Sequence, residues 1–261
     1  MTTKTALITG ASGGIGYELT KLFAADSYNL VLVARSGTKL NEFVAQLQSH
    51  FNISVKPIAL DLTAAPASQF LFDQLQREDI AVDVVVNNAG YGKFGDFAKV
   101  PLQESLGQIQ LNITALTSLA KLFLGPMLDR RSGKILNVAS TAGFQAGPGM
   151  AVYYATKAYV ISFSEALANE LAGSGVTMTC LCPGATDTGF QGRAGTQDTF
   201  LFRKMCPMDA ASVARDGYRG LMAGKSLVIS GFHNWLLVEA TRFGPRKLVT
   251  AISRKVMDQS K

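Results

Sequence analysis

Strand-like apolar runs alternate with helical periods along all 261 residues, and that alternation predicts an α/β fold. The expected form is one doubly wound domain, residues 1–261, with a seven-stranded, mainly parallel sheet and helices on both faces. Two further observations support it. Runs such as Leu30-Val31-Leu32-Val33-Ala34 are apolar at every position, as strands covered on both faces are. The chemically interesting residues, at 10–16, 35, 61, 87–90, 140 and 183–188, all fall at strand ends, where such sheets bind ligands.

In order, residues 4–9 read as the first strand, running into Gly10-Ala11-Ser12-Gly13-Gly14-Ile15-Gly16. A helix starts there, with Ile15, Leu19, Leu22 and Phe23 on one face. The second strand is 30–34, and the helix at 37–50 buries Leu40, Phe43, Val44 and Leu47. Residues 53–60 form a third strand, 66–77 a helix with Phe70, Leu71 and Leu75 inward, and 82–86 a fourth strand ending at Asn87-Asn88-Ala89-Gly90. A long helix over 102–128 stops at or soon after Gly125-Pro126. The fifth strand, 133–139, and a helix at 151–172 follow, the helix closing near Gly173 and Gly175. After a sixth strand at 176–181, residues 184–208 show no period and read as a substrate-covering loop, its glycines at 184, 189, 192 and 195 suggesting mobility. A helix over 207–223, a seventh strand at 227–230 and a helical tail at 233–258 complete the chain. The tail divides at Gly244-Pro245, with Pro245 expected at a first helical position.

Composition narrows the function. With 48% apolar and only 17% charged residues, the chain has ample core and no disorder signature. The strand pattern starts at once, with no leader-like segment before it, and no stretch of about 18 or more consecutive apolar residues occurs; the expectation is a cytoplasmic chain without a membrane span. Cys180, Cys182 and Cys206 with His50 and His233 do not make a metal-ligand pattern, so free thiols and no metal are expected. Net charge is +6, and residues 232–261 alone contribute +4 of it. The basic excess is a property of the tail, and no nucleic-acid partner is expected.

The loop at 10–16 carries the first piece of chemistry. Gly10, Gly14 and Gly16 let the backbone turn and admit a phosphate at close range, and the following helix offers unpaired amides; Ser12 and Ile15 lie in the same loop. A dinucleotide pyrophosphate suits it, although the spacing Gly10-x-x-x-Gly14-x-Gly16 differs from Gly-x-Gly-x-x-Gly. After the second strand stands Arg35, where an acidic residue would favour NAD(H). An arginine grips a 2′-phosphate, and the expected cofactor is NADP(H). The second piece is Tyr153-Tyr154-Ala155-Thr156-Lys157. Residues four apart share a helix face, so Lys157 would lie beside Tyr153 and lower its pKa from about 10, making it a proton donor or acceptor. Spacing alone leaves Tyr154, three residues from Lys157, equally near.

Six motifs in order and spacing resemble the classical short-chain dehydrogenase/reductase family, NADP(H)-preferring type, over residues 4–190. They are Thr9-Gly10-Ala11-Ser12-Gly13-Gly14-Ile15-Gly16, Asn87-Asn88-Ala89-Gly90, Asn112, Ser140, Tyr153-x-x-x-Lys157 and Pro183-Gly184-x-x-x-Thr188. The resemblance implies a Rossmann-type fold and a catalytic set of Asn112, Ser140, Tyr153 and Lys157. Tyr153 would be general acid or base, chosen over Tyr154 because Ser140 precedes it by thirteen residues. Lys157 would lower the tyrosine pKa and hold the nicotinamide ribose. Ser140 would hold the substrate oxygen, and Asn112, at a helix irregularity, a relay water. Asp61 and Leu62 would contact adenine, with Asn88, Ala89 and Gly90 on the adenosine side and Pro183, Gly184 and Thr188 flanking the nicotinamide.

Phe144, Phe190, Phe200, Leu201, Phe202, Met205 and Met208 predict an apolar substrate cover, hence a lipophilic carbonyl or alcohol substrate. The reaction expected is hydride transfer between NADP(H) and that substrate; the alternative is a non-catalytic NADP(H)-binding sensor on the same fold. By analogy a homodimer or homotetramer is expected, with helices 102–128 and 151–172 supplying the interface. The tail mixes apolar and basic residues as interfacial segments do, but packing on the domain or on a partner subunit is the favoured expectation and membrane association the lesser one.

Overall fold

The structure, a computed structural model, describes residues 3–197, 199 and 207–258. It contains β1 (Thr5–Thr9), α1 (Gly14–Ala25), β2 (Asn29–Ala34), α2 (Gly37–His50), β3 (Val55–Ala59), α3 (Ala67–Arg77), β4 (Val84–Asn87), α4 (Leu102–Ile109), α5 (Leu116–Asp129), β5 (Gly133–Val138), α6 (Ala151–Glu170) and β6 (Val176–Cys182). Beyond these come β7 (Thr186–Asp187), α7 (Phe190–Ala194), β8 (Met208–Asp209), α8 (Ala210–Met222), β9 (Leu227–Ile229), α9 (Phe232–Phe243) and α10 (Arg246–Val256). Seven strands pair in the order β3-β2-β1-β4-β5-β6-β9, every pairing parallel. The order reverses between β1 and β4, which opens a crevice beyond their carboxyl ends.

Continuous apolar strands work because both sheet faces are covered. In β1, Ala6 and Ile8 face one core with Leu19 and Phe23 of α1 and Leu40 of α2, while Leu7 faces the other with Leu71 of α3 and Phe123 of α5. β2 and β4 alternate the same way: Leu32 and Val86 on the first face, Val33 and Val85 on the second. A one-residue slip would exchange the two cores, so the register is strongly specified.

The long helix is continuous from Leu102 to Asp129, but Gln110–Ala115 between α4 and α5 winds as a π-helix. By length and composition this segment could cross a bilayer. Its Leu119, Phe123 and Met127 are instead buried against the sheet. Pro126 is accommodated inside α5, which ends three residues later. The region read as a featureless loop holds β7, α7 and β8, with β7 paired to β8. Pro245 precedes the first turn of α10 with extended backbone, φ −55° and ψ 130°, so it occupies the cap position and not the first helical one. α8 starts at Ala210, later than expected, because the Asp209 side chain caps it by accepting from the Ser212 amide at 2.7 Å.

Candidate active site

The glycine loop is shaped by residues that reach it from β4. Thr9 Oγ1 donates to the Val86 carbonyl at 3.1 Å and accepts from the Asn88 and Ala89 amides at 3.0 Å each. Asn88 Nδ2 donates to the carbonyls of Thr9 (2.9 Å) and Gly10 (3.2 Å). Gly10 and Gly14 take φ of 67° and 55°, and a Cβ on Gly10 would sit 2.7 Å from Asn88 Nδ2. Asn88 thus ties the loop to the sheet. No side chain caps the start of α1, and a Cβ on Gly13 would meet nothing within 4 Å. That open face, with unpaired amides behind it, fits a pyrophosphate.

At the ends of β5 and α6 stand the proton-transfer candidates. Ser140, extended after β5, accepts from the Ala142 amide at 3.1 Å and donates to the Pro183 carbonyl at 3.4 Å. Lys157 is buried, 5% exposed, and its Nζ donates to the Val138 carbonyl at 2.7 Å and lies 5.7 Å from the Tyr153 ring centroid. Burial pushes the Lys157 ammonium down to about 8, against the opposing influence of Cys180 and Cys182. Burial pushes the Tyr153 hydroxyl upward, and hydrogen bonding with the Ser140 side chain draws it only partly back. The net direction is upward, opposite to the fall that spacing alone predicts. The ammonium is engaged by a backbone carbonyl and is itself destabilised, so desolvation dominates at the tyrosine.

Asn112 lies in the π-helical turn, 1% exposed, and its side chain is fully engaged. Its Oδ1 accepts from the Tyr91 amide at 3.1 Å, and Nδ2 donates to the Tyr91 carbonyl (2.9 Å) and to Thr156 Oγ1 (3.0 Å). The side chain therefore braces α6, one residue from Lys157. A second buried chain, Asn87 Nδ2 to Asn137 Oδ1 (2.9 Å) and Asn137 Nδ2 to Ser164 Oγ (3.0 Å), ties β4 and β5 to the same helix.

Other expected residues separate into two groups. Gly90, which the resemblance assigns to the adenosine side, lies near the proton-transfer residues: a Cβ there would sit 3.1 Å from Asn112 Oδ1 and 3.5 Å from Lys157 Nζ. Leu62 is buried in the core and leaves only its backbone for a nucleotide, and Ile15 likewise packs its side chain on the core. Ser12 is half-buried in the loop. The Thr188 methyl lies 3.0 Å from where a Gly14 Cβ would be, and Gly184 packs against the Asn234 side chain, so the Pro183–Thr188 stretch lies between the glycine loop and α9. Arg35 and Asp61 come together in a cavity of about 340 Å3 that they line with Thr63, Tyr91, Lys93 and Arg193. Burial raises the Asp61 carboxyl, but hydrogen bonds from Thr63 and the charges of Arg35 and Arg193 hold it below its ordinary value.

Sequence reasoning missed Arg193, Lys93 and Tyr91. Arg193 lies on α7, inside the region read as loop, with its guanidinium 3.9 Å from the Tyr91 ring centroid. Burial and the like charge of Arg35 depress its pKa. No spacing rule could have found a contact between segments a hundred residues apart. The apolar wall near Tyr153 also differs from expectation. Phe190 does face it, ring centroids 5.2 Å apart, in a cluster with Met150, Tyr154, Ala194 and Met257. Phe144 and Met208 pack elsewhere in the core, while Phe200, Leu201, Phe202, Met205 and Cys206 lie outside the described residues.

Residues 4–199 match the short chain dehydrogenase family. The chain is 32% identical over 191 residues to the 3-oxoacyl-[acyl-carrier-protein] reductase FabG of Chlamydia trachomatis, covering 71% of this chain and 75% of the relative. It is 35% identical over 186 residues to the ketoacyl reductase HetN of Nostoc, covering 70% of this chain and 64% of that protein. Among solved structures, a short-chain dehydrogenase from Sphingobium yanoikuyae in complex with NADPH superposes with a TM-score of 0.83 at 32% identity, over 92% of this chain and 93% of that one. The chain belongs to the classical short-chain dehydrogenase/reductase family of oxidoreductases.

Proposed function

We propose that the protein transfers a hydride between NADP(H) and a carbonyl or secondary alcohol of a lipophilic substrate, a ketone, aldehyde or 3-oxoacyl compound. The observation that carries this reading is the convergence of Ser140, Tyr153 and Lys157, on a sheet whose first strand runs into the open glycine loop. NADP(H), when bound, supplies or accepts the hydride. Gly10, Gly14, Gly16 and the α1 amides would hold its pyrophosphate, and Arg35, Lys93 and Arg193 its 2′-phosphate, three cations around a cavity that the carboxylates of Asp61 and Glu104 also line. The Tyr153 hydroxyl, kept protonated by burial, gives its proton to the substrate oxygen in reduction. Ser140 Oγ donates to the same oxygen and steadies its developing charge. Lys157 fixes the floor beneath Tyr153 through the Val138 carbonyl, and Asn112 braces α6 through Thr156.

The NADPH complex of the Sphingobium relative supports the cofactor choice, and the ketoacyl reductase relatives support the carbonyl class. The wall of Met150, Phe190 and Met257 favours a lipophilic substrate. A homodimer or homotetramer is proposed, supported by Leu102, Leu106 and Ile109 exposed on α4, and the cytoplasm is the proposed compartment. The test is loss of NADPH absorbance against a panel of bulky ketones and 3-oxoacyl thioesters, with NADH run in parallel. Turnover with NADPH that disappears in Tyr153→Phe is expected. Cofactor binding without turnover on every panel member would favour the sensor, and a wild-type preference for NADH would overturn the cofactor choice.

A further inference from the structure

Helices α9 and α10 leave the body of the protein with their apolar side chains outward. Among their described residues only Val238 of α9 and Ser253 of α10 are buried, and Met257 just beyond anchors the pair beside Tyr154 and Met150. Phe232 (77% exposed), Trp235, Leu236 and Phe243 (87%) recur at spacings of three, four and seven residues along one side of α9. Leu248 and Ile252 continue the outward apolar surface on α10, each more than half exposed. Phe232 and Trp235 stack on one another at 5.7 Å. Exposed large apolar side chains clustered on these two helices mark an interaction surface.

Charge identifies the occupant. Residues 232–258 carry Arg242, Arg246, Lys247, Arg254 and Lys255 against Glu239 and Asp258, and Glu239 is already paired with Arg242 at 3.1 Å. A symmetric contact with a second copy would place this net +3 patch on itself, which opposes association. An anionic lipid surface attracts each of these cations by about 1 kcal/mol. Helices of 12 and 11 residues are too short to span a bilayer but suited to lie in its surface, with aromatic rings at headgroup level.

We propose that α9 and α10 form an interfacial dock that seats the protein on anionic membrane. Because Met257 joins the cluster that walls Tyr153, and Asn234 of α9 packs on Gly184, the dock holds the substrate side of the cleft close to the lipid. The dock stands whether or not the hydride-transfer chemistry above is right.

Trp235 is the only tryptophan, so its fluorescence reports this surface alone. The experiment mixes the full chain with vesicles of phosphatidylcholine, with and without phosphatidylserine, and measures sedimentation and the Trp235 emission maximum. Binding to the anionic vesicles with a blue shift, weakened by salt, is expected. The pair Phe232→Ser with Phe243→Ser, and separately Arg246→Glu with Lys247→Glu, should each reduce partitioning by about tenfold or more. All four positions are exposed, so folding is retained, checked by an unchanged melting temperature. Absence of both partitioning and blue shift, or partitioning insensitive to both pairs, overturns the proposal. Self-association that Phe232→Ser with Phe243→Ser abolishes, without vesicle binding, also overturns it and makes the face a subunit interface.

Discussion

At one end of the cleft, Ser140 follows β5 and Tyr153 and Lys157 stand on α6; a buried hydrogen bond holds Lys157 and a partly buried one holds Ser140. At the other, Arg35 and Asp61 after β2 and β3, Lys93 in the loop after β4 and Arg193 on α7 line a cavity open to solvent. Both ends hold charged or titratable groups, but they work by different physics. At the buried end desolvation outweighs every neighbour and moves Tyr153 and Lys157 away from their charged forms. At the open end charges act through number and proximity, and salt screens them. Substitutions at the first end should therefore change protonation chemistry, and at the second only affinity.

The largest effect expected is at Tyr153. Tyr153→Phe should lower kcat by about a thousandfold with NADPH binding unchanged in titration calorimetry, while Tyr154→Phe stays within about tenfold. The sign of the raised Tyr153 pKa adds a pH signature. Reduction uses the protonated hydroxyl, which burial preserves through neutral pH, so its rate should stay flat there. Alcohol oxidation needs the phenolate and should rise by about tenfold per pH unit. An oxidation rate already level at neutral pH would show that desolvation does not dominate at this end.

Lys157 should report the same desolvation through stability. Its folded pKa of about 8 lies below an unfolded value of about 10.4, so the folded state loses its proton first. The burial cost is present in full below about pH 8, and stability should climb as pH rises from there to about 10.4, by at most about 3 kcal/mol. Lys157→Met should remove that slope in urea unfolding series at several pH values, though general alkaline effects will act on both proteins alike.

The open end should respond more gently. Arg35→Asp should raise the KM for NADPH by about thirtyfold with kcat little changed, and the penalty should shrink as salt is added. Arg193→Met should raise it by about fivefold, since its guanidinium is partly spent on the Tyr91 ring. A fall in kcat at either arginine, with KM unmoved, would erase the distinction between the two ends.

Much of this molecule is legible in its sequence because its rules are local. Continuous apolar runs specify strands covered on both faces, the glycine loop is read from the residues that link one strand to one helix, and spacing sets a tyrosine near Lys157, with the motif order singling out Tyr153. Other features depend on what residues distant in sequence bring. Gly90 falls beside Lys157, Arg193 reaches Tyr91 and the Arg35 cavity, and Leu62 turns into the core, none of which any local pattern encodes. The tyrosine pKa reversed its expected direction for the same reason: spacing set Lys157 beside Tyr153, but burial and the Val138 carbonyl determined which charges survive there. Helix 102–129 and the tail helices make the contrast again. Both carry runs of apolar side chains, yet a sheet lies beneath the first and not beneath the outward faces of α9 and α10. Sequence by itself determined the periodicity, the charge and the chemical groups; which of them meet, and which lose their water, was decided only by tertiary packing, because desolvation and contact are properties of the assembled fold.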